Sequence, residues 1–165
     1  MMTIFGLFKT YEKAGAVVDE LMEAGAEPSS MNVLVKSDVA KPAMDVNLRR
    51  AGVAKSDEVG KVELHGLERL VGGEQPMPLP GLGDVYAAGE LATFVATAGQ
   101  EHRDKDSGLE AALHEFGLNA KTAATYYRGI EEGEWLIFVR ADDDEAKRLL
   151  SVLRKYTDAI TTVSA

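Results

Sequence analysis

The chain has 165 residues, 45% hydrophobic and 27% charged, the balance of an ordinary soluble globular protein with a sizeable core. Lys and Arg number 18 against 27 Asp and Glu, and the net charge of −9 repels phosphate backbones and argues against nucleic acid as a partner. The absence of cysteine excludes disulfides, thiolate metal sites and cysteine nucleophiles.

Met1 to Phe5 lacks the basic flank and apolar run of a secretion signal. Nowhere do about 18 apolar residues follow without interruption, as a membrane helix requires. A cytoplasmic protein is the expectation.

Residues 1–35 predict a β-α-β unit. Thr3 to Phe8 is a β-prone apolar run. Thr10 then serves as N-cap of a helix with Glu12 in its first turn. Ala14, Val17, Val18, Leu21 and Met22 recur at helical spacing, Gly25 stops the helix, and Met31 to Val35 reads as a second strand.

Residues 36–133 form an insert. Lys41-Pro42, Gly52, Gly60 and Gly72-Gly73 punctuate its first part, Leu64, Leu67, Leu70 and Val71 suit one or two helical turns, and Pro76 to Pro80 reads as a stiff extended connection. After residue 84 the insert is expected to be mostly helical. The first helix, Asp84 to Ala98, carries Val85, Ala88, Leu91, Ala92 and Val95. The charged stretch Gln100 to Ser107 precedes a second with Leu109, Ala112, Leu113 and Phe116, ended by Gly117. Asn119 caps a third, with Ala123, Tyr127 and Ile130 inward and Gly133 at its end.

Residues 134–165 repeat the opening unit: strand Trp135 to Val139, a helix capped by Asp142 or Asp143, and strand Ile160 to Val163. A constant offset of 132 carries Ala14, Val17, Val18 and Leu21 onto Ala146, Leu149, Leu150 and Leu153, Thr10 onto Asp142, and Ile4 onto Leu136. The predicted fold is therefore α+β and ferredoxin-like. Two β-α-β halves build a four-stranded antiparallel sheet with two helices on one face, and a helical insert joins them in a single domain spanning 1–165. Both Ile4 to Phe8 and Leu136 to Val139 are apolar on both faces, so either the insert or a second subunit must cover the other face.

The run Gly117-Leu118, Ala123, Tyr126, Gly129-Ile130, Gly133 and Leu136 to Val139 resembles the C-terminal half of the bacterial general-stress-protein family, also called heat-induced stress proteins or domains of unknown function. Ile4 to Phe8 with Glu23-Ala24-Gly25 resembles its N-terminal half, and Pro80 to Gly83 with Ala87 to Gly89 its central Gly/Ala hairpin. The resemblance implies no catalytic residue. It implies membrane contact through the centre in many relatives, against which Asp84, Glu90 and the charges after Gly99 argue. Asn119 stands where relatives commonly have proline.

Candidate chemistry is sparse. His65, His102 and His114 have no second metal ligand at usable spacing, and Glu110 beside His114 reads as a helix-surface contact. Asp142 to Glu145 lacks the spacing of a calcium loop and suits a helix N-terminus. Gly81-Leu82-Gly83 and Gly72-Gly73 lack the Lys-Ser/Thr of a phosphate loop, and Tyr86 occupies the third glycine position of a dinucleotide fingerprint. Tyr126, Tyr127 and Arg128 beside Trp135 read as core or interface packing rather than a pocket. Arg49, Arg50, Lys55 and Lys61 read as solvated charge. No catalytic, cofactor-binding or metal residue is assigned.

The expected function is thus non-enzymatic: a stress-associated protein acting by self-association, as a homodimer, or by partner binding. The alternatives are a regulatory module of the amino-acid-sensing (ACT-like) kind that binds a small-molecule effector, an analogy of fold alone, and peripheral membrane association through residues 81–99.

Overall fold

The structure, a computed structural model, describes residues 1–42, 67, 70, 76–79, 81–101 and 108–164. The opening unit is β1 (Met2–Phe8), α1 (Tyr11–Glu23) and β2 (Met31–Lys36), after which residues 37–42 are helical. The insert supplies β3 (Met77–Leu79), β4 (Gly83–Ala88), α2 (Glu90–Glu101), α3 (Gly108–Glu115) and α4 (Ala120–Glu131). The closing unit is β5 (Trp135–Ala141), α5 (Asp143–Arg154) and β6 (Ile160–Ser164). All six strands form one antiparallel sheet in the order β3-β4-β2-β5-β1-β6.

The α+β class holds, but the sheet has six strands rather than four. The additional pair is a hairpin from the insert. Leu82 N–H donates to the Leu79 carbonyl at 3.0 Å, and Gly81 and Gly83 take the left-handed region at φ +86° and +79°. The stretch read as a stiff connection is therefore in part a short strand, and residues 84–88, read as the start of a helix, belong to β4, whose Val85 to Ala88 pair with β2. Val85 and Ala87 point to one face of the sheet, Tyr86 and Ala88 to the other. That period of two, read over a few small residues, is easily taken for helical spacing.

The alternation of β1 and β5 divides the core. Ile4, Phe8, Trp135, Ile137 and Val139 face α1 and α5, whose Val17, Val18, Leu21, Leu149 and Leu153 are buried against them. Phe5, Leu7, Leu136 and Phe138 face the opposite way, onto Leu91, Val95, Leu109, Leu113, Phe116, Tyr126 and Ile130 of the insert. The second apolar face is thus covered from within the chain, which removes the sheet-face reason for a dimer. Leu67 is helical and buried on the α1/α5 side, with Leu70 packed beside it; Leu64 and Val71 lie outside the described residues.

The terminal repeat is real in its helices and shifted in its strands. Thr10 and Asp142 both occupy N-caps, but only Thr10 accepts a capping bond, from Lys13 N–H at 3.2 Å. Ile4 and Leu136, matched by the 132 offset, face opposite layers, whereas Ile4 and Ile137 share one. The cause is local: Lys9 separates β1 from its cap, while Ala141 abuts Asp142. One residue reverses every facing in a strand.

α1, α3 and α4 each end on the glycine expected, Gly25, Gly117 and Gly133, in paired backbone bonds such as Leu118 N–H to Leu113 C=O at 3.2 Å and Gly117 N–H to His114 C=O at 2.9 Å. α2 begins differently. Gly89 has no side chain to offer, and buried Asn32 of β2 reaches across to accept from Leu91 N–H at 2.9 Å. No helix among the described residues is long and apolar enough to cross a membrane. The apolar side chains proposed for lipid contact, among them Leu82, Val85, Leu91 and Val95, lie in the core.

Candidate functional site

Among the described residues, the insert helices do not cover the sheet to its end. The register places Arg140 of β5 opposite Thr3 of β1, and Thr3 opposite Val163 of β6. The preceding row, Phe138, Phe5 and Thr161, is capped: the Phe116 ring lies 4.9 Å from that of Phe138, and the Tyr126 ring 6.0 Å from that of Phe5. The Tyr126 O–H donates to the Phe5 carbonyl at 3.3 Å and lies 3.0 Å from Thr161 Oγ1. Burial raises the Tyr126 pKa.

Beyond that row α3 stops at Gly117. The backbone approaches β6 so closely there that a Cβ would stand 2.7 Å from Val163 Cγ1. The row Arg140–Thr3–Val163 is left as the floor of a cleft of ≈570 Å³. Glu90, Thr93 and Phe94 of α2 form one wall; Glu115 and Phe116 form the other.

Arg140 dominates the chemistry. Its Nη1 donates to Glu90 Oε2 at 2.8 Å, with the two side chains 37% and 56% exposed. At that exposure the pair contributes about 0–1 kcal/mol. Its Nε, by contrast, is enclosed and has no hydrogen-bond partner among the described residues. Phe94, 38% exposed, meets Phe116 edge-on at 4.9 Å and leaves an aromatic surface on the rim. Glu115 is exposed at the mouth.

None of the residues weighed for catalysis, metal or ligand binding from sequence lines this cleft. His114 instead donates from Nδ1 to the Leu118 carbonyl at 3.1 Å, closing the end of α3. Tyr126, not Tyr127, is the buried tyrosine of α4, and Trp135 lies on the opposite face, 5.6 Å from Tyr11. The acidic run is spent at the start of α5, where Asp143 lies 3.7 Å from the N-terminal amine and Glu145 3.8 Å from Arg148. Gly81 and Gly83 shape a hairpin. His65, His102, Gly72, Gly73, Arg49, Arg50, Lys55 and Lys61 lie outside the described residues. Among the described residues, no three His, Asp or Glu side chains converge as a metal site.

Sequence reasoning missed Arg140, Thr3, Glu90 and Phe94. The available signal was Arg140 itself, a charge directly after five apolar strand residues and on the same face as Phe138.

At the far end of the same sheet, the Tyr156 O–H donates to Glu20 and Lys155 Nζ lies 3.1 Å from it, tying α5 to α1. The tyrosine bond, then the lysine, holds the Glu20 carboxyl below its ordinary range and pushes the Tyr156 hydroxyl up. Compared with known protein families, curated proteins and solved structures, the chain matches none.

Proposed function

We propose that the protein is a non-enzymatic recognition module whose cleft binds a small zwitterion of the α-amino-acid type. The guanidinium of Arg140, part-exposed in the cleft and held by a single bond to Glu90, carries this reading. A guanidinium offers a planar fork to a carboxylate. Glu90, more than half exposed and held to Arg140 by one bond, is the group a ligand carboxylate would displace. Glu90 and Glu115 then face the ligand's ammonium, which the Phe94 and Phe116 rings also favour. The volume suits a small ligand, for which sites span about 300–1,000 Å³.

Two wider expectations join the proposal. The inner order β6-β1-β5-β2 supports reading the sheet as a ferredoxin-like unit lengthened by the β3–β4 hairpin, an architecture shared by ACT-like regulatory domains. Kinship with the general-stress proteins, and with it a cytoplasmic stress role, rests on the motif residues from Gly117 to Val139 and their counterparts at the N-terminus.

Thermal unfolding against a panel of amino acids tests the cleft. A ligand at 100 times its Kd stabilises by about 2.7 kcal/mol, a rise of roughly 5–10 °C for a chain of this size. Arg140→Met is expected to abolish that rise while moving the unliganded midpoint little. No rise with any amino acid would overturn the proposal; an equal rise in Arg140→Met would place the ligand elsewhere.

A further inference from the structure

The sheet has two unlike edges. β3 is three residues long and carries Pro78, both of which discourage pairing with another strand. β6, Ile160-Thr161-Thr162-Val163-Ser164, holds no proline and no charge, and its β-branched residues favour extended backbone. It pairs with β1, and among the described residues nothing pairs its outer side.

The ladder shows which groups that outer side presents. Leu7 N–H donates to the carbonyl of Ala159, its opposite residue, at 3.1 Å, so this pair occupies a bonded position of the ladder, with the Thr157 hydroxyl standing between Ala159 N–H and the Leu7 carbonyl. In an antiparallel ladder bonded and non-bonded pairs alternate. Thr161 and Val163, opposite Phe5 and Thr3, therefore direct their backbone groups toward β1. Ile160, Thr162 and Ser164 direct theirs outward. The Ile160 N–H is engaged by the Asp158 carbonyl at 3.1 Å. Among the described residues, no backbone group bonds the Ile160 carbonyl or the backbone groups of Thr162 and Ser164.

That row is self-complementary. We infer that β6 pairs antiparallel with β6 of a second copy about a two-fold axis at Thr162. Thr162 then exchanges both amide–carbonyl bonds with its counterpart, and each Ile160 carbonyl accepts from Ser164 of the other copy. Residues of equal parity meet, so the axis stands perpendicular to the sheet and both clefts open on the same side. Val163, on the cleft floor, then stands beside Thr161 of the second copy, which carries the wall past the edge of one chain. This places self-association on the strand edge rather than on the apolar sheet face, and it does not depend on the identity of the cleft's ligand.

Sedimentation equilibrium of the full chain, with Thr162→Pro and Thr162→Lys, tests it. The wild type is expected at twice the chain mass of 17.8 kDa and both variants at the single mass. Proline at 162 removes only an outward N–H, so circular dichroism and the thermal midpoint should match the monomeric lysine variant. Hydrogen exchange at Thr162 and Ser164 should slow as protein concentration rises. A wild type that stays monomeric at millimolar concentration, or variants that stay dimeric, would overturn the inference.

Discussion

Gly89→Ala is expected to destabilise the protein by ~3 kcal/mol or more, a large part of the roughly 5–15 kcal/mol that holds a domain folded. Gly89 sits at φ +83°, where an L side chain costs about 1–2 kcal/mol. Space is the greater obstacle. A Cβ there would lie 2.4 Å from the Met31 carbonyl oxygen and 2.6 Å from Asn32 Oδ1. The first is backbone of β2, at the residue paired with Val139 of β5, and cannot give way without disturbing that pairing. The second is the atom that caps α2, so moving it strands the buried N–H of Leu91, at about 1–3 kcal/mol. Urea unfolding reports the sum as a lowered midpoint. Asn32→Ala, which removes the cap without the clash, should fall between Gly89→Ala and the wild type. A loss below about 1 kcal/mol for Gly89→Ala would mean that the strand-to-helix corner is not built this way.

Phe138→Ala should cost about 3–5 kcal/mol, the range for deleting a fully buried phenylalanine. Phe138 lies on the sheet face that sequence alone left without a cover. It is wholly buried, with Phe5 at 4.7 Å and Phe116 at 4.9 Å between ring centres. Phe116 belongs to the insert, so the loss measures how firmly the insert seals this face. If the insert only rested on the sheet, truncation would cost under about 1 kcal/mol, as at a partly solvated site.

The two terminal units were legible because each combines strong local signals: Thr10 at a cap, Gly25 at a helix end, and stripes such as Val17, Val18 and Leu21 repeated as Leu149, Leu150 and Leu153. The strands were legible in position but not in facing. An apolar strand buried on both sides has no period-two pattern to fix its parity. The β3–β4 hairpin was hidden because Val85, Tyr86, Ala87 and Ala88 are apolar on both faces and run straight into α2. The cleft was illegible for another reason. Arg140, Thr3 and Val163 meet through ladder register, and Glu90 and Phe94 join them from α2, whose first turn is capped by Asn32. Residues so scattered along the chain leave no motif.

An amide NMR titration with the amino acid that raises the unfolding midpoint most is the direct test of the recognition cleft. Shifts should concentrate at Thr3, Arg140, Glu115 to Gly117 and Val163. Silence there, or shifts instead at Lys9, Lys13 and Thr157 at the opposite end of β1, would contradict the assignment.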